Sequence, residues 1–352
     1  IPFRDWKTKK GYKTTLVKCS DIGTTENQIK SYIQNMYNTT RVTYILLVGD
    51  AENVPAKGVI PATVNRPGSI HNGAIADPVY TLLTPGDYYP DAYISRFSAE
   101  TAEQVDNQVM RTIKYETNPV LGDWIIKACG IAGSYAKPLP IQDSTKCNWL
   151  RDDLLSSGLY STVDKIYAPD GTTEQITSAL NEGRGIVNYV GHGGSYASWS
   201  GPYYSTTEVF SLQNANRLPF VISDACMVGN FQGHTCLAEA WLRAGSADNP
   251  TGAIAAYMPT IDVWADPADS IQHKAVELFV GEDKKTVGEI LFNAACDAIT
   301  HFTGYQNGID DFETFHIFGD ASVNVWAGLP VIYDNVSITD NNTSITVNTG
   351  ID

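Results

Sequence analysis

Two apolar runs in this sequence each end in a side chain that can take part in covalent catalysis. Residues 188–194 (NYVGHGG) bring one run to His192, and residues 219–226 (PFVISDAC) bring another to Cys226. An imidazole can remove the proton of a nearby thiol, and the resulting thiolate can attack a carbonyl carbon. Parallel strands bring their carboxyl ends to one edge of an open α/β sheet, so we expect the two side chains to lie side by side. The pair predicts acyl transfer of the kind that a cysteine peptidase performs.

The glycines of the first motif add backbone groups to this chemistry. Gly191 and Gly193 flank the histidine and allow the backbone to approach a substrate closely. We predict that the N–H groups of Gly193 and Cys226 form the oxyanion hole. Losing one such donor typically slows a reaction by about 10²–10³-fold.

Apolar runs of strand length alternate with helical patterns along the chain. Thr101 carries a helix-capping signal, and Val105, Val109 and Ile113 follow it on one helix face. Such alternation predicts βαβ units and a mostly parallel sheet covered by helices. The predicted strands are 42–48, 92–97, 124–132, 162–167, 185–190, 218–222 and 252–257. The predicted helices are 25–37, a helix from 101, 141–156, 173–182, 235–244, 268–279 and 286–301.

The charge balance of the chain disfavours several classes of partner. Its 352 residues include 24 basic and 39 acidic side chains, a formal net charge of −15. This sign argues against a nucleic-acid surface and against an anionic membrane as partner. No apolar run approaches the roughly 18–20 residues of a membrane-spanning helix. No signal peptide opens the sequence, although a removed one would leave no trace.

The cysteines do not suggest a scaffold or a metal centre. Six cysteines are too few for a disulfide framework in a chain of this length. Cys129 and Cys296 lie in apolar surroundings and are predicted to be buried structural thiols. The spacings His234-x-Cys236 and Cys296-x4-His301 contain zinc-ligand types, but neither has a second pair in the sequence. We predict no zinc site and no cofactor for the chemistry.

Both ends of the sequence suggest that further elements adjoin it. Residues 4–12 are typical of a helix end with a turn, and residues 14–17 of a strand, so we expect an opening strand upstream of Ile1. After residue 330, the segments 336–338 and 344–347 alternate as β-strands do. This second pattern predicts the first hairpin of a separate β domain.

Several further segments resemble the gingipain family of cysteine peptidases, a branch of the caspase-like clan. The resemblance covers residues 3–328 and includes both catalytic motifs. The other matching segments are 5–7 (DWK), 45–50 (ILLVGD), 54–56 (VPA), 93–98 (YISRFS), 112–116 (TIKYE), 236–240 (CLAEA) and 318–322 (FGDAS).

The resemblance implies a three-layer α/β/α caspase-like catalytic domain in two subdomains, followed by an immunoglobulin-like domain. We place the N-terminal subdomain at residues 1–122, with its opening strand missing. The C-terminal subdomain, with the His/Cys dyad, is placed at 123–329. Residues 330–352 are then the start of the all-β, immunoglobulin-like domain.

The sequence departs from the family at one catalytic position. In the Arg-specific members, an acidic residue after the strand that matches 128–132 orients the catalytic histidine. The matching segment here is 133–136 (GSYA), which contains no carboxylate. The resemblance therefore implies a dyad of Cys226 and His192, with the imidazole held by a hydroxyl, a backbone carbonyl or a carboxylate from elsewhere.

Acidic residues at positions that match the family's substrate pocket predict the specificity. The predicted pocket residues are Asp143 (in the segment 138–146), Val190, Asp224, Asp262 and Trp264. A lysine or arginine side chain that leaves water needs a carboxylate partner, because burying it unpaired is costly. We expect cleavage after Lys or Arg, with Trp264 covering the aliphatic stem; a bidentate carboxylate would favour Arg. The alternative is that Asp224 only caps local N–H groups and Asp262 is solvated.

The predicted function is thus a cysteine endopeptidase, secreted or at the cell surface, that acts on protein and peptide substrates. We expect a monomer, and the family adds a prodomain and a further β domain as partners. The family also binds Ca²⁺; the acidic loops 50–53, 87–91 and 310–311 have suitable residue types, without an assigned ligand set. Two alternatives are a sortase-like transpeptidase of the same family and a non-catalytic scaffold or adhesin. The intact His192 and Cys226 argue against the scaffold.

Overall fold

The computed structural model describes residues 1–59, 74–134, 141–282, 284–302, 307–330, 337–340 and 345–348. The strands are β1 (Tyr44–Val48), β2 (Gly58–Val59), β3 (Ala74–Ile75), β4 (Tyr93–Phe97), β5 (Lys127–Ala132), β6 (Thr162–Tyr167), β7 (Ile186–Val190), β8 (Ser198–Ser200), β9 (Tyr203–Ser205), β10 (Phe220–Asp224), β11 (Ala255–Pro259), β12 (Phe315–Gly319), β13 (Ser337–Asp340) and β14 (Ile345–Asn348).

The helices are α1 (Pro2–Lys9), α2 (Cys19–Ile22), α3 (Glu26–Thr40), α4 (Ala102–Thr117), α5 (Asp143–Ser156), α6 (Thr173–Glu182), α7 (Thr206–Phe210), α8 (Leu237–Arg243), α9 (Ala265–Gly281), α10 (Val287–His301) and α11 (Asn307–Thr314). Short 3₁₀ helices cover Asp77–Thr81 and Asp123–Ile126. The amino-terminal end of α4 is capped as the sequence predicts, because the Thr101 side chain accepts a hydrogen bond from the Gln104 N–H. At α10, Thr286 and Glu289 form a capping box.

Eight strands form one central sheet in the order β1-β4-β12-β11-β10-β7-β5-β6. The strands from β11 to β6 are parallel to one another, and β12 pairs with β11 in the antiparallel sense. All seven predicted strands are confirmed, within a few residues. The eighth strand, β12, is not among the predicted strands, because His316 interrupts its apolar run. Burial lowers the pKa of His316 to about 4, so the imidazole ring is neutral at physiological pH. Its ring nitrogen accepts a hydrogen bond from the Asp77 N–H at 2.7 Å.

Helices cover both faces of the sheet, which gives the predicted three layers. Strands β7, β10, β11 and β12 are buried along their whole length. One apolar cluster packs the sheet against α5, α9 and α10, and a second packs its other face against α6 and α8. Strands covered on both faces read as continuous apolar runs, which is why these were visible in the sequence.

One sequence prediction near the amino terminus is wrong. Residues 14–17 form no strand, although they alternate as a strand would. Leu16 is 64% exposed, so the alternation does not mark a buried face. Upstream of this segment, the predicted helix end and turn are confirmed: α1 ends at Lys9, and Gly11 adopts a φ of +103°.

The carboxyl-terminal segment contains a paired hairpin. Strands β13 and β14 are antiparallel, with Ile338 opposite Val347. The hairpin matches the predicted β segments, whereas the immunoglobulin-like domain stays a prediction. So does the subdomain boundary at 122/123; β12, from the second part of the chain, pairs with β4 of the first part as well as with β11.

Candidate active site

The two predicted catalytic side chains follow neighbouring parallel strands. Val190 at the end of β7 lies opposite Asp224 at the end of β10, and the Gly191 N–H donates to the Asp224 carbonyl at 3.1 Å. His192 and Cys226 each come two residues after this matched pair. The register therefore brings both residues to the same edge of the sheet, as the sequence predicts.

The Gly193 backbone touches the backbone of the nucleophile. A methyl group placed on Gly193 would overlap with the carbonyl oxygen of Cys226, well inside van der Waals contact. Only glycine allows the two loops to approach so closely. The close approach fixes the histidine loop against the cysteine loop.

Three hydrogen bonds hold the backbone of His192. Its carbonyl accepts from the Tyr189 hydroxyl at 2.9 Å, from the Ser200 hydroxyl at 2.9 Å and from the Ser200 N–H at 3.0 Å. Behind them, Trp199 stacks on Tyr189 with 4.4 Å between ring centroids and donates to the Ser223 hydroxyl at 2.9 Å. The histidine side chain itself is exposed. The imidazole is thus presented to solvent from a rigid base.

Cys226 lies in a tight turn directly after β10. The next residue, Met227, has a φ of +64°, a left-handed conformation that costs a non-glycine residue roughly 1–2 kcal/mol. The Met227 N–H donates to the Ile261 carbonyl at 2.9 Å, which ties the turn to the loop after β11. Strain beside the predicted nucleophile is of the kind found where function requires a particular backbone geometry.

The environment of Cys226 disfavours the thiolate. Burial raises the pKa of its thiol to about 11, and the charges of Asp262 and Asp224 act in the same direction, while the Val263 N–H lowers it. At neutral pH the side chain is therefore a thiol in the free protein. Attack by this thiol would require a neighbouring base, and the sheet register brings His192, the predicted base, to the same edge.

Two backbone donors remain available at this edge. Within the described part of the chain, neither the Gly193 N–H nor the Cys226 N–H donates to a backbone carbonyl. Both groups belong to the loops that touch each other. Their position is compatible with the predicted oxyanion hole.

Asp143 opens α5 beside the ends of β5 and β7. A methyl group on Gly133 would lie 3.1 Å from the Asp143 Oδ2 and 3.1 Å from the Gly191 Cα. Asp143 is 3% exposed, and among the described residues neither of its oxygens has a hydrogen-bond partner. Burial raises the pKa of Asp143 to about 6, partly offset by Lys146. A buried carboxylate with both oxygens unused can bind a cation.

Asp224 belongs to a small charge network that the sequence did not reveal. Its carboxyl hydrogen-bonds to Asp269 of α9, and Asp269 forms an ion pair with Lys146 of α5. Burial first, and then the charge and hydrogen bond of Asp269, raise the pKa of Asp224 well above its usual range. Ionisation of Asp224 is therefore disfavoured, whereas the charge of Asp269 is balanced by Lys146. Of the predicted pocket acids, Asp143 is the one whose two oxygens have no hydrogen-bond partner among the described residues.

The remaining predicted pocket residues lie at or after the carboxyl ends of β7 and β11. Val190 is buried in a cluster with Ala132 and Cys147. Cys147 lies on α5, one helical turn after Asp143. Asp262 and Trp264 are partly exposed in the loop that follows β11, and Asp262 lies close enough to Cys226 for its charge to raise the pKa of the thiol. Gln272 of α9 links β7 and β10, because its amide donates hydrogen bonds to the carbonyls of Tyr189 and Ile222. No sequence signal marked Gln272.

The acidic loops considered for calcium already use protein donors in part. The carboxylate of Asp91 accepts from the N–H groups of Leu83 and Thr84 and from two hydroxyls. Asp50 accepts from Ala51 and pairs with Arg243. Segment 135–136 of the divergent loop lies outside the described residues. Calcium binding stays a prediction.

None of the described helices has both the length and the apolar character needed to cross a bilayer.

All six cysteines are free; Cys129 is buried as predicted, whereas Cys296 is only partly buried. The site is therefore assembled from one chain with no disulfide among its elements.

Comparison with known sequences gives a match over nearly the whole chain. The profile of peptidase family C25 matches residues 2–326. Gingipain R2 of Porphyromonas gingivalis is 32% identical over 342 residues, which cover 93% of this chain and 44% of that protein. Lys-gingipain HG66 of the same organism is 26% identical over 369 residues, 94% of this chain and 20% of that protein. The chain spans less than half the length of these relatives.

Solved structures agree with the sequence comparison. The crystal structure of gingipain R, described as an Arg-specific cysteine proteinase, matches with a TM-score of 0.86 and 31% identity over 96% of this chain and 77% of that chain. A complex of the pro- and mature domains of RgpB from Porphyromonas gingivalis matches with a TM-score of 0.85 and 30% identity, over 96% and 78% of the two chains. The α/β fold of gingipain R is confirmed. The chain belongs to peptidase family C25, the gingipain family.

Proposed function

We propose that the protein is a cysteine endopeptidase that cleaves after basic residues. The observation that carries this proposal is the junction of the two catalytic loops, where Gly193 touches the Cys226 backbone and His192 follows from the adjacent parallel strand. Membership of a peptidase family supports the same reaction. Among the relatives, one is described as Arg-specific and another is named Lys-gingipain.

The proposed reaction is a two-step acyl transfer. His192 takes the proton of the Cys226 thiol, and the sulfur attacks the carbonyl carbon of the scissile peptide. The N–H groups of Gly193 and Cys226 stabilise the negative charge on the carbonyl oxygen. His192 then protonates the leaving amine, and water hydrolyses the thioester. Two side chains suffice for these steps, and the histidine backbone is held by Tyr189 and Ser200.

The basic specificity is proposed to come mainly from Asp143. Its buried carboxylate has no hydrogen-bond partner among the described residues, whereas Asp269 is paired with Lys146. A lysine or arginine side chain would complete the charge balance of the pocket, because a desolvated cation needs a carboxylate partner. Trp264 is proposed to cover the aliphatic stem.

We further propose that the enzyme acts outside the cell and is held inactive by a prodomain before maturation. Both proposals come from the family resemblance, and a complex of pro- and mature domains is known for RgpB. Residues 330–352 are proposed to begin an immunoglobulin-like domain, of which β13 and β14 would be the first hairpin.

A positional-scanning peptide library tests the activity and the specificity together. We expect hydrolysis with a preference for Lys or Arg before the cut, because Asp143 offers an unpaired carboxylate there. The same library run on the Cys226→Ala variant serves as the control and should show no hydrolysis. Preference for Asp, Asn or a small residue at that position would refute the proposed specificity. An added amine nucleophile that yields a ligated product would instead indicate transpeptidation.

Substitution of Gly193 tests the loop junction. We expect Gly193→Ala to lower kcat/KM by about 10²–10³-fold, because the new methyl group forces the Cys226 carbonyl and the oxyanion donors apart. Active-site titration with a thiol-reactive substrate analogue corrects for any misfolded fraction. Gly281→Ala is the matched control, since a methyl group there meets nothing within 4 Å. Unchanged kinetics for Gly193→Ala would show that the two loops do not meet as described.

A further inference from the structure

Away from the catalytic edge, one surface position brings together three side chains that bind metals. Asp153 of α5 and His273 and Glu277 of α9 place one carboxylate oxygen or ring nitrogen each within 4.8 Å of one another. His273 Nε2 lies 2.8 Å from Asp153 Oδ2. Asp153 and His273 are separated by 120 residues, so no local spacing in the sequence marks this cluster.

Both helices present their ligands in a fixed arrangement. His273 and Glu277 are four residues apart on α9 and therefore share one helix face. The ring of Trp149, four residues before Asp153 on α5, stacks on His273 with 6.0 Å between centroids and 27° between planes. A stacked imidazole has less freedom to turn away, so its nitrogen is oriented before any ion arrives.

The charges of the cluster call for a cation. Asp153 and Glu277 are both carboxylates, and their oxygens lie within 4.8 Å of each other. The two negative charges repel each other. Lys274 lies 3.2 Å from the Glu277 carboxylate and offsets part of this repulsion. The side chains of Asp153, His273 and Glu277 are 35%, 37% and 47% exposed, so an ion can reach them from solvent.

The ligand set indicates the kind of ion. Zn²⁺ binds imidazole nitrogen and carboxylate oxygen at about 2.0–2.2 Å, which puts neighbouring ligand atoms about 3.4 Å apart in a tetrahedron. That spacing falls between the 2.8 Å of the His–Asp pair and the 4.8 Å limit of the cluster. Ca²⁺ and Mg²⁺ prefer all-oxygen sites, so the imidazole selects against them.

We propose that Asp153, His273 and Glu277 form a binding site for Zn²⁺ or a similar divalent transition metal, with water in the fourth position. The ion would tie α5 to α9. These two helices also carry Asp143 and Asp269 of the substrate pocket, so the bound metal would restrain the pocket from behind. The site is independent of the proposed peptidase reaction.

Calorimetric titration of the metal-free chain with ZnCl₂ tests the proposal. The Cys226→Ala background is used because it removes the active-site thiol as a competing ligand and prevents self-cleavage. We expect one Zn²⁺ per chain, loss of this binding in His273→Ala, and at least about 10-fold weaker binding in Asp153→Asn and Glu277→Gln. Zn²⁺ should also raise the melting temperature of the background chain but not that of His273→Ala.

His301→Ala is the matched control. His301 pairs with Asp297 at 3.2 Å on one helix, but no third ligand joins them within the described part of the chain. Its removal should leave the isotherm unchanged. Equal melting temperatures of the metal-free variants show that each is folded. Absence of stoichiometric binding, or binding that survives His273→Ala, would overturn the proposal.

Discussion

Cys226→Ala is expected to lower the rate of peptide hydrolysis by on the order of 10⁴–10⁶-fold, the range seen when single members of a catalytic triad are removed. The variant should fold normally, because Cys226 is only partly buried and lies in a turn fixed by backbone bonds of Met227. Initial rates on the preferred library peptide measure the effect. A thiol-reactive substrate analogue should label the parent chain and not the variant.

Cys296→Ala controls for the general loss of a thiol. Burial raises the pKa of Cys296 to about 11, as it does for Cys226, yet Cys296 lies on α10 away from the catalytic edge. Both thiols are therefore protonated at neutral pH, and only their neighbours differ. If Cys296→Ala is fully active and Cys226→Ala is inactive, the reactivity of Cys226 comes from its place beside His192 and not from a lower thiol pKa.

His192→Ala should produce nearly the same loss as Cys226→Ala, and the double variant should be no worse than either single one. The reason is that a thiol with a pKa of about 11 cannot attack without its base, so the two residues act as one unit. If Cys226→Ala retained more than about one hundredth of the activity, a different nucleophile would be required. If neither the parent chain nor any variant hydrolysed peptides, the scaffold alternative would regain support.

The sequence was sufficient for the parts of the fold that are buried on both sides. Strands β7 and β10 are buried throughout and appear as unbroken apolar runs, so their ends could be matched to His192 and Cys226. The segment 14–17 shows the limit of this reasoning, because its alternation is not accompanied by burial. Strand β12 shows the opposite limit, because its buried polar residue His316 interrupts the apolar pattern by which the other strands were recognised.

The electrostatic character of the pocket could not be predicted from the same patterns. Asp224 was recognised by its place two residues before the nucleophile, but its partners Asp269 and Lys146 come from two separate helices. Their contact depends on how α5 and α9 pack, which no local spacing encodes. The network changes the expected role of Asp224, because a carboxyl group that Asp269 already holds, and whose ionisation burial disfavours, is a weak partner for a substrate cation.

Asp143→Asn is therefore the variant that should change specificity most. We expect the ratio of kcat/KM for a basic over a neutral residue before the cut to fall by about 10²–10³-fold, since truncating one partner of a buried charge pair costs about 2–5 kcal/mol. Asparagine preserves the size of the side chain and removes only its charge. Asp266→Asn, an exposed carboxylate at the start of α9, controls for the general loss of negative charge.

The same residue should set the acid limb of the pH profile. Because burial raises the pKa of Asp143 to about 6, its carboxylate is ionised above that pH and neutral below it. A cationic substrate binds the ionised form, so kcat/KM for a basic peptide should rise as pH increases through about 6. A plot of kcat/KM reports the free enzyme, which is the state that this pKa describes. In Asp143→Asn this limb should be absent for the basic peptide.

Comparison with Asp224→Asn decides between the two pocket acids. Burial and Asp269 raise the pKa of Asp224 well above its usual range, so its ionisation is disfavoured and its replacement by a neutral amide should change the basic preference much less than Asp143→Asn does. The reverse order would mean that Lys146 leaves Asp269 when substrate binds and that Asp224 becomes the carboxylate that meets the substrate cation. Equal and small effects of both variants would place the source of specificity outside the buried acids, with Asp262 of the loop after β11 as the next residue to replace.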